Sequence, residues 1–551
     1  MPASLVLGPM LRFVSEREAV FWVETDRACD VEVLGASERT FCVHGHHYAL
    51  VHATGLEPGT RYEYELLLDG ERAWPEPDSL FPPSSFRTYP KERPLEIVFG
   101  SCRVTAPHES PYALKKDDDE LGREVDSLRA LSHRMRGHEP DDWPDVLLLL
   151  GDQVYADEVS PVTSAFIEQR RDPDVAPGER VVDYEEYTRL YREAWSEPAI
   201  RWLLSVVSSA MIFDDHDVHD DWNTSAAWVE EARKHHWWNE HIVAALMSYW
   251  VYQHIGNLNP KAQAEDDLLQ RVKAADGDVA EMLAEFAYRA DRETDGARWS
   301  YCRDLGHTRI VVMDSRAGRI LEEGRRRMVD DEEWAWIEEH ATGGFDHLLL
   351  ATSLPYLLTP ALHNLEAWNE AVCGGAWGEA MKGPAEKLRQ MQDLEHWAAF
   401  YDSFLQLTEL QRAVATGERG EAPASIVTLS GDVHHAYVAE VAFPRGAGVK
   451  STVWQAVCSP FRNPLDNMER TVIRAMTKRS TEAITRLLRR SAGVGDPPIR
   501  WRLTGGGPWF DNQYGVLTVE GRRIDLRIEK AVPEGDEGES KLERVLDRRL
   551  A

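Results

Sequence analysis

The sequence predicts an α/β protein with a small all-β module at its N-terminus. Three observations lead there. Residues 1–92 alternate apolar and polar side chains with a period of two, as in AVFWVE and DVEVLG, between turn-like breaks. From Leu95 onward, short apolar runs suited to buried strands alternate with long helical stretches. The runs then end in acids, histidines, a tyrosine and a cysteine: GDQVYADE at 151–158, DDHDVHDDWN at 214–223 and SGDVHH at 430–435. In open α/β sheets ligands collect at the carboxyl ends of strands, so donors gathered there point to a metal centre.

At 551 residues the chain exceeds one ordinary domain, and 43% hydrophobic residues support a large core. The expected division is 1–92 for the β-module and 93–551 for the rest. No run approaches the ~18 apolar residues of a membrane span. The start, MPASLVLGPMLRFVSE, lacks a charged leader, a long apolar segment and a twin-arginine pair. Cytoplasmic residence is the expectation, and export the alternative if the true start lies elsewhere. The six cysteines (29, 42, 102, 302, 373, 458) form no CxxC pair. Cys29 and Cys42 could meet across neighbouring strands, as a reduced buried pair. A formal net charge of −32 argues against general nucleic-acid binding. It also means that an anionic ligand needs bound cations to reverse the field locally. One stretch is basic: between Arg462 and Arg502 lie Arg470, Arg474, Lys478, Arg479, Arg486, Arg489 and Arg490 at helical spacing. It reads as a solvated helix face, or as a rim that steers anionic substrate.

Within the N-terminal module, Leu56-x-Pro58-x-Thr60-x-Tyr62-x-Tyr64 resembles the corner of fibronectin type III-like sandwiches, where a tyrosine hydroxyl ties down a turn. The Pro-rich Trp74–Pro94 stretch reads as a last strand plus a stiff linker. Strands are predicted at Leu95–Phe99, Val146–Leu150, Met211–Phe213, Ile310–Met313, Leu348–Leu350, Ile426–Leu429, Val453–Val457 and Val516–Ile528. Helical insertions are predicted over 160–205, 225–295 and 362–415, and the charged tail after Val532 as a short surface helix. The sequence contains no internal repeat.

Gly151 lets the chain turn sharply, so that Asp152 points into the crevice, and Tyr155 returns to the same side. A phenolate suits a strongly Lewis-acidic ion such as Fe(III); otherwise Tyr155 is a packed tyrosine with a backbone partner. Asp215 and His216 are adjacent, so one binds metal while the other faces substrate. Asp214 and Asp217 read as loop caps, and His219 and Asp221 as exposed loop residues. Asp432 and His434, at i and i+2 of an extended segment, share a side, and His435 faces the other way. Cys102, alone, is a buried small hydrophobe; beside the other segments it becomes a thiolate ligand.

In order, FGSCR, GDQVY, DDHD, VVMDSR at 311–316 and SGDVHH resemble the PhoD-type alkaline phosphatases, a branch of the calcineurin-like metallophosphoesterases. WFDNQYGVLTVEG at 509–521 is similar to that family's last strand pair. The resemblance covers about 95–530 and extends to the N-terminal module. It implies a four-layer α/β/β/α sandwich preceded by a fibronectin III-like sandwich. It further implies Fe(III) held by Cys102, Asp152, Tyr155 and His434. Asp152 would bridge to a second ion, calcium in the family, completed by Asp215 and Asp432. Zn, Mn or Mg are alternatives. His216 takes the place of the histidine that assists the leaving group, and Arg103 and Arg316 are candidate phosphate clamps. Asp314 orients its surroundings. Asp215 stands where relatives often use Asn, which favours a hard divalent ion. The implied activity is metal-dependent hydrolysis of phosphate esters by a hydroxide activated between two cations. A phosphodiesterase acting on nucleotides, phospholipids or teichoic-type polymers is the second reading. A scaffold role for the N-terminal module is opposed by the density of donors. A metal oxidoreductase lacks both a two-His-one-carboxylate triad and a dinucleotide fingerprint.

Overall fold

The computed structural model describes residues 2–90, 93–293, 296–534 and 540–551. The boundary expected at 92/93 abuts residues 91 and 92, which lie outside them. The chain is mixed α/β with all-β sheets at its N-terminus. One N-terminal sheet runs β1 (Leu5–Val14), β2 (Glu18–Thr25), β6 (His46–Thr54), β5 (Phe41–Val43). A second runs β4 (Ala36–Arg39), β3 (Asp30–Val33), β8 (Leu66–Leu68), β9 (Glu71–Trp74), and β7 (Arg61–Glu63) pairs with β10 (Ser85–Arg87). Strand alternation sends Phe21, Val23 and Val51 into this module's own core, with Val31, Leu66 and Trp74. Within the predicted corner the Glu57 amide donates to the Tyr62 hydroxyl at 2.7 Å, closing the turn.

Two large sheets follow. The six-stranded sheet is ordered β13 (Ser208–Ile212), β12 (Val146–Leu150), β11 (Leu95–Gly100), β21 (Gln513–Glu520), β22 (Arg523–Pro533), β23 (Ser540–Arg549). The seven-stranded sheet is ordered β14 (Tyr301–Leu305), β15 (Thr308–Met313), β16 (His347–Thr352), β17 (Ser425–Ser430), β19 (Thr452–Val457), β18 (Ala436–Ala442), β20 (Arg500–Trp509). The strands β11, β12 and β13 are mutually parallel, as are β15, β16, β17 and β19. Buried on both faces, they read as near-continuous apolar runs. Along β15, Ile310 and Val312 join the core shared with the six-stranded sheet. Val311 and Met313 instead pack with Trp334, Ile337, Phe404 and Leu407 of helices Asp331–His340 and Tyr401–Thr416.

Four expectations change. The run Val516–Ile528 is two antiparallel strands broken at Gly521 and Arg522. The tail is not a helix: from Ser540 it is β23, paired along β22. The run around Met211 begins three residues earlier, at Ser208. Three further strands (β14, β18 and β20) lie where none was predicted.

The N-terminal module is locked onto the rest. The Trp22 indole donates to the Val251 carbonyl, and Arg12, fully buried, donates to the carbonyls of Tyr252 and Gln253. Those acceptors sit on a π-helical turn, Trp250–His254, whose widened winding offers its carbonyls outward. Arg12 also donates at 2.9 Å to Asn257 Oδ1, and Asn257 brackets the Met211 amide and carbonyl on β13.

Candidate metal centre

The strand ends are brought together by backbone conformations that side chains seldom adopt. Cys102 (φ 58°), Asp152 (φ 39°), Asp432 (φ 64°) and His434 (φ 50°) are all left-handed. Each costs about 1–3 kcal/mol, a strain typical of functional sites. At Gly151 (φ 123°) a Cβ would lie 3.0 Å from the Asp214 side chain, so only glycine fits. A Cβ on Gly431 would collide with Ser101 Oγ, which accordingly reaches the Asp432 amide at 2.8 Å.

Two donor clusters result, and Asp152 belongs to both. Donor atoms of Cys102, Asp152 and His434 lie within 4.8 Å of one another, as do those of Asp152, Asp214 and Asp215. The Tyr155 hydroxyl stands 3.4 Å from Asp152 Oδ2 and accepts from the Asn463 amide at 3.3 Å. Asp432 Oδ2 accepts from His396 Nε2 at 3.2 Å, and Oδ1 is 3.7 Å from Arg316. Asp152 Oδ1 and Asp214 Oδ2 are buried, with no hydrogen-bond partner among the described residues. Anionic oxygens are not left bare in a protein interior without a counter-charge. The donor set therefore fits cations.

The titration of these groups reports the same deficit of positive charge. Burial raises Asp152 well above the usual carboxylate value, and Asp215, Asp217 and Asp432 add to that. Burial does the same to Asp214, with help from Asp432 and Asp215 and against the pull of Arg316. Cys102 and Tyr155 are likewise pushed up by burial and by the Asp152 charge. Burial holds His434 down to about 4, the neutral form a metal ligand requires. Asp432, unlike Asp152 and Asp214, is lowered: His396 and Arg316 outweigh its burial.

The structure revises several expectations. The Asp432–His434 segment is not extended; amides of Val433 and His434 donate to the carbonyls two residues back, in consecutive tight turns. Arg103 is no clamp: its Nε donates to Asp126, Nη1 to the Ala194 carbonyl and Nη2 to Glu197. Arg316 is fully buried and committed to Asp214, Asp215 (3.2 Å) and Glu395 (2.6 Å). Its work is to neutralise carboxylates. Asp214 is more than a cap, since it joins the second cluster while also accepting from the Asp215 amide. Asp221 is half-buried, donates its amide to Asp215 and is raised to about 9 by burial and by Glu395. His219, also half-buried, packs among Trp228, Trp237 and Trp238. Asp217 caps the turn by accepting from the Gln153, Val154 and Asp214 amides. Asp314 accepts from three amides of its own loop, and His435 bonds the Val433 carbonyl and stacks on Tyr437.

His216 stands at the mouth. Its Nδ1 bonds Asp157 at 2.9 Å, and its ring lies 4.8 Å from that of Tyr155. Burial opposes its charged form, but Asp157, and Asp215 and Asp152 beyond it, raise its pKa well above the usual histidine value. Four contributors escaped the sequence reading. Asp157 lies inside GDQVYADE, but a carboxylate two residues past Tyr155 carries no spacing signal. Glu366, Glu395 and His396 come from the third insertion and its exit, where nothing local marks them; His396 Nδ1 bonds Glu366 at 2.7 Å.

Residues 131–338 match the family model of the PhoD-like phosphatases. This stretch of the chain is similar to that family. That match includes Asp152, Tyr155, Asp215, His216 and Arg316; Cys102, Asp432 and His434 lie outside it and join through the geometry above. Residues 2–86 match a domain of unknown function (DUF7800). Over its whole length the chain is similar to a solved structure of PhoD, with 12% identity, a TM-score of 0.57 and coverage of 100% of this chain and 91% of that one. A purple acid phosphatase from yellow lupin (Lupinus luteus) seeds matches at 11% identity and a TM-score of 0.45, covering 95% and 71% of the two chains. No curated protein matches. Among the described residues no helix is long and apolar enough to cross a membrane.

The acids of the candidate centre predict a pH signature. Asp152 and Asp214, raised well above the usual value by burial, together with Asp217, raised to about 7, and Asp221, raised to about 9, hold protons when folded that they lose when unfolded. Folded protein thus binds more protons above the unfolded value, and stability falls as pH rises. Below pH ~6.5 buried neutral histidines such as His434 act in the opposite sense. The expected result is that metal-stripped protein loses stability between pH ~6.5 and ~9, and that divalent cations flatten this slope. Urea unfolding of stripped and reloaded protein across that window measures it; parallel curves would show that the acids do not bind cations.

Proposed function

We propose that the protein hydrolyses phosphate esters at a two-cation centre. The observation that carries this is the shared donor Asp152 between two clusters at converging strand ends. Cys102, Asp152, Tyr155 and His434 would hold Fe(III), and Asp152, Asp214, Asp215 and Asp432 a harder divalent ion such as calcium. Bound cations of this kind lower the pKa of water and neutralise charge growing on phosphoryl oxygens. The chain's own residues do the rest. Asp157 fixes His216 through Nδ1, so that Nε2 carries the proton offered to the leaving oxygen. Glu366 orients His396, and His396 orients Asp432. Asn463 holds the Tyr155 oxygen beside Asp152. We also read the paired sheets with their flanking helices as the α/β/β/α sandwich, and the N-terminal sheets as fibronectin III-like, divided near residue 92.

Natively purified protein should contain metal and hydrolyse an aryl phosphate; relative rates on mono- and diaryl phosphates separate phosphatase from phosphodiesterase. His216→Gln should keep its metal but lose about 10²–10⁴-fold on esters with poor leaving groups, and far less on nitrophenyl esters. Equal loss on both ester types, or none, would remove the proton-donor role.

A further inference from the structure

Two helices, Asn467–Met476 and Arg479–Ser491, follow one another directly after the loop that carries Asn463 to the Tyr155 hydroxyl. The first is fastened at its start by an Asp466–Glu469 capping box and by its Asn467 amide on Asp117. Yet it has no buried residue. The second buries Thr485 and Arg489, which face helix Pro360–Cys373, and leaves its other side open. On these open sides Met468 (73% exposed), Val472 (57%), Ile484 (66%) and Leu487 (68%) project at i, i+4 and i, i+3 spacings. Around them stand the exposed cations Arg474, Lys478, Arg479, Arg486 and Arg490, of which Arg474 lies over Phe510, Arg486 pairs with Glu482 and Arg490 with Asp496. Over residues 467–491 there are seven cationic and two anionic side chains, in a chain whose net charge is −32.

The pattern specifies its occupant. Protein interfaces concentrate apolar groups in a core depleted of charge, whereas here cations recur within each apolar turn. An anionic lipid surface satisfies both chemistries at once, taking apolar tips between acyl chains while lysines and arginines sit at phosphates. We propose that this helix pair docks the protein on membranes bearing anionic lipid.

Co-sedimentation of the full chain with vesicles of phosphatidylcholine, alone or mixed with phosphatidylserine, tests this without involving catalysis. Binding to the mixed vesicles should be at least about tenfold tighter than to neutral ones and weaken with salt. Ile484→Glu with Leu487→Glu, and separately Arg479→Glu with Arg486→Glu, should each abolish it while the thermal unfolding midpoint stays put. Failure to pellet with phosphatidylserine at low salt would overturn the proposal, as would variants that pellet like the parent. So would concentration-dependent dimerisation that the same substitutions remove, since the face would then belong to a second copy.

Discussion

Asp152→Ala is expected to lose bound metal and phosphatase activity together. Every other donor belongs to one cluster, but Asp152 faces both, from a left-handed backbone position that aims its carboxylate at their junction. Turnover of an aryl phosphate should fall by on the order of 10³-fold, the scale of removing a group aimed at developing charge. Elemental analysis should show both ions depleted. If one ion is Fe(III) on Tyr155 and Cys102, the colour of the native protein goes with it. A second readout separates binding from folding. In metal-stripped protein Asp152→Ala should be more stable than the parent, because it removes a buried charge repelled by Asp215, Asp217 and Asp432. Full metal content in the variant would dismiss the shared-donor arrangement.

Arg316→Leu is expected to give the largest loss of stability. This guanidinium is buried completely and sits among Asp214, Asp215, Glu395 and Asp432. Removing one partner of a buried ion pair costs about 3–5 kcal/mol, because the charge left behind has no water to turn to. Here several carboxylates are left at once. Denaturant unfolding of metal-loaded protein measures the loss, and adding Glu395→Gln to Arg316→Leu should recover part of it. Arg316→Lys should not substitute, since a compact ammonium cannot span carboxylates that a planar fork reaches together. An unchanged unfolding midpoint would mean that the bound ions alone balance the acids.

What was legible in the sequence divides along physical lines. Central strands such as Val146–Leu150 are buried on both faces, so burial writes itself into an unbroken apolar run. Three of the missed strands, β14, β20 and β23, are sheet edges. Edges are solvated, so β23 reads SKLERVLDRR, which its charge disguises as a helix, and β20 tolerates Gly505–Gly507 and Pro508. At the centre, residue type marked the donors well, because Cys, Asp and His directly after apolar runs are chemically conspicuous. Their geometry was not legible. Asp432 and His434 were placed together by alternation, yet they meet through left-handed turns that no non-glycine residue announces. Arg103 and Arg316 looked alike after their strands; only distant partners, Asp126 and Glu395, fix what each does. His396 depends on a segment whose position is decided by packing across the molecule.

The bridge from Arg12 through Asn257 to Met211 has a genetic corollary. Met211 lies three residues ahead of Asp214, so Arg12 and its strand help set where the clustered acids stand. The β-rich head is consequently not an interchangeable cassette: swapping it with a homologue's would disturb the clustered acids. Loss-of-function substitutions around Arg12 should therefore masquerade as damage to the candidate metal centre.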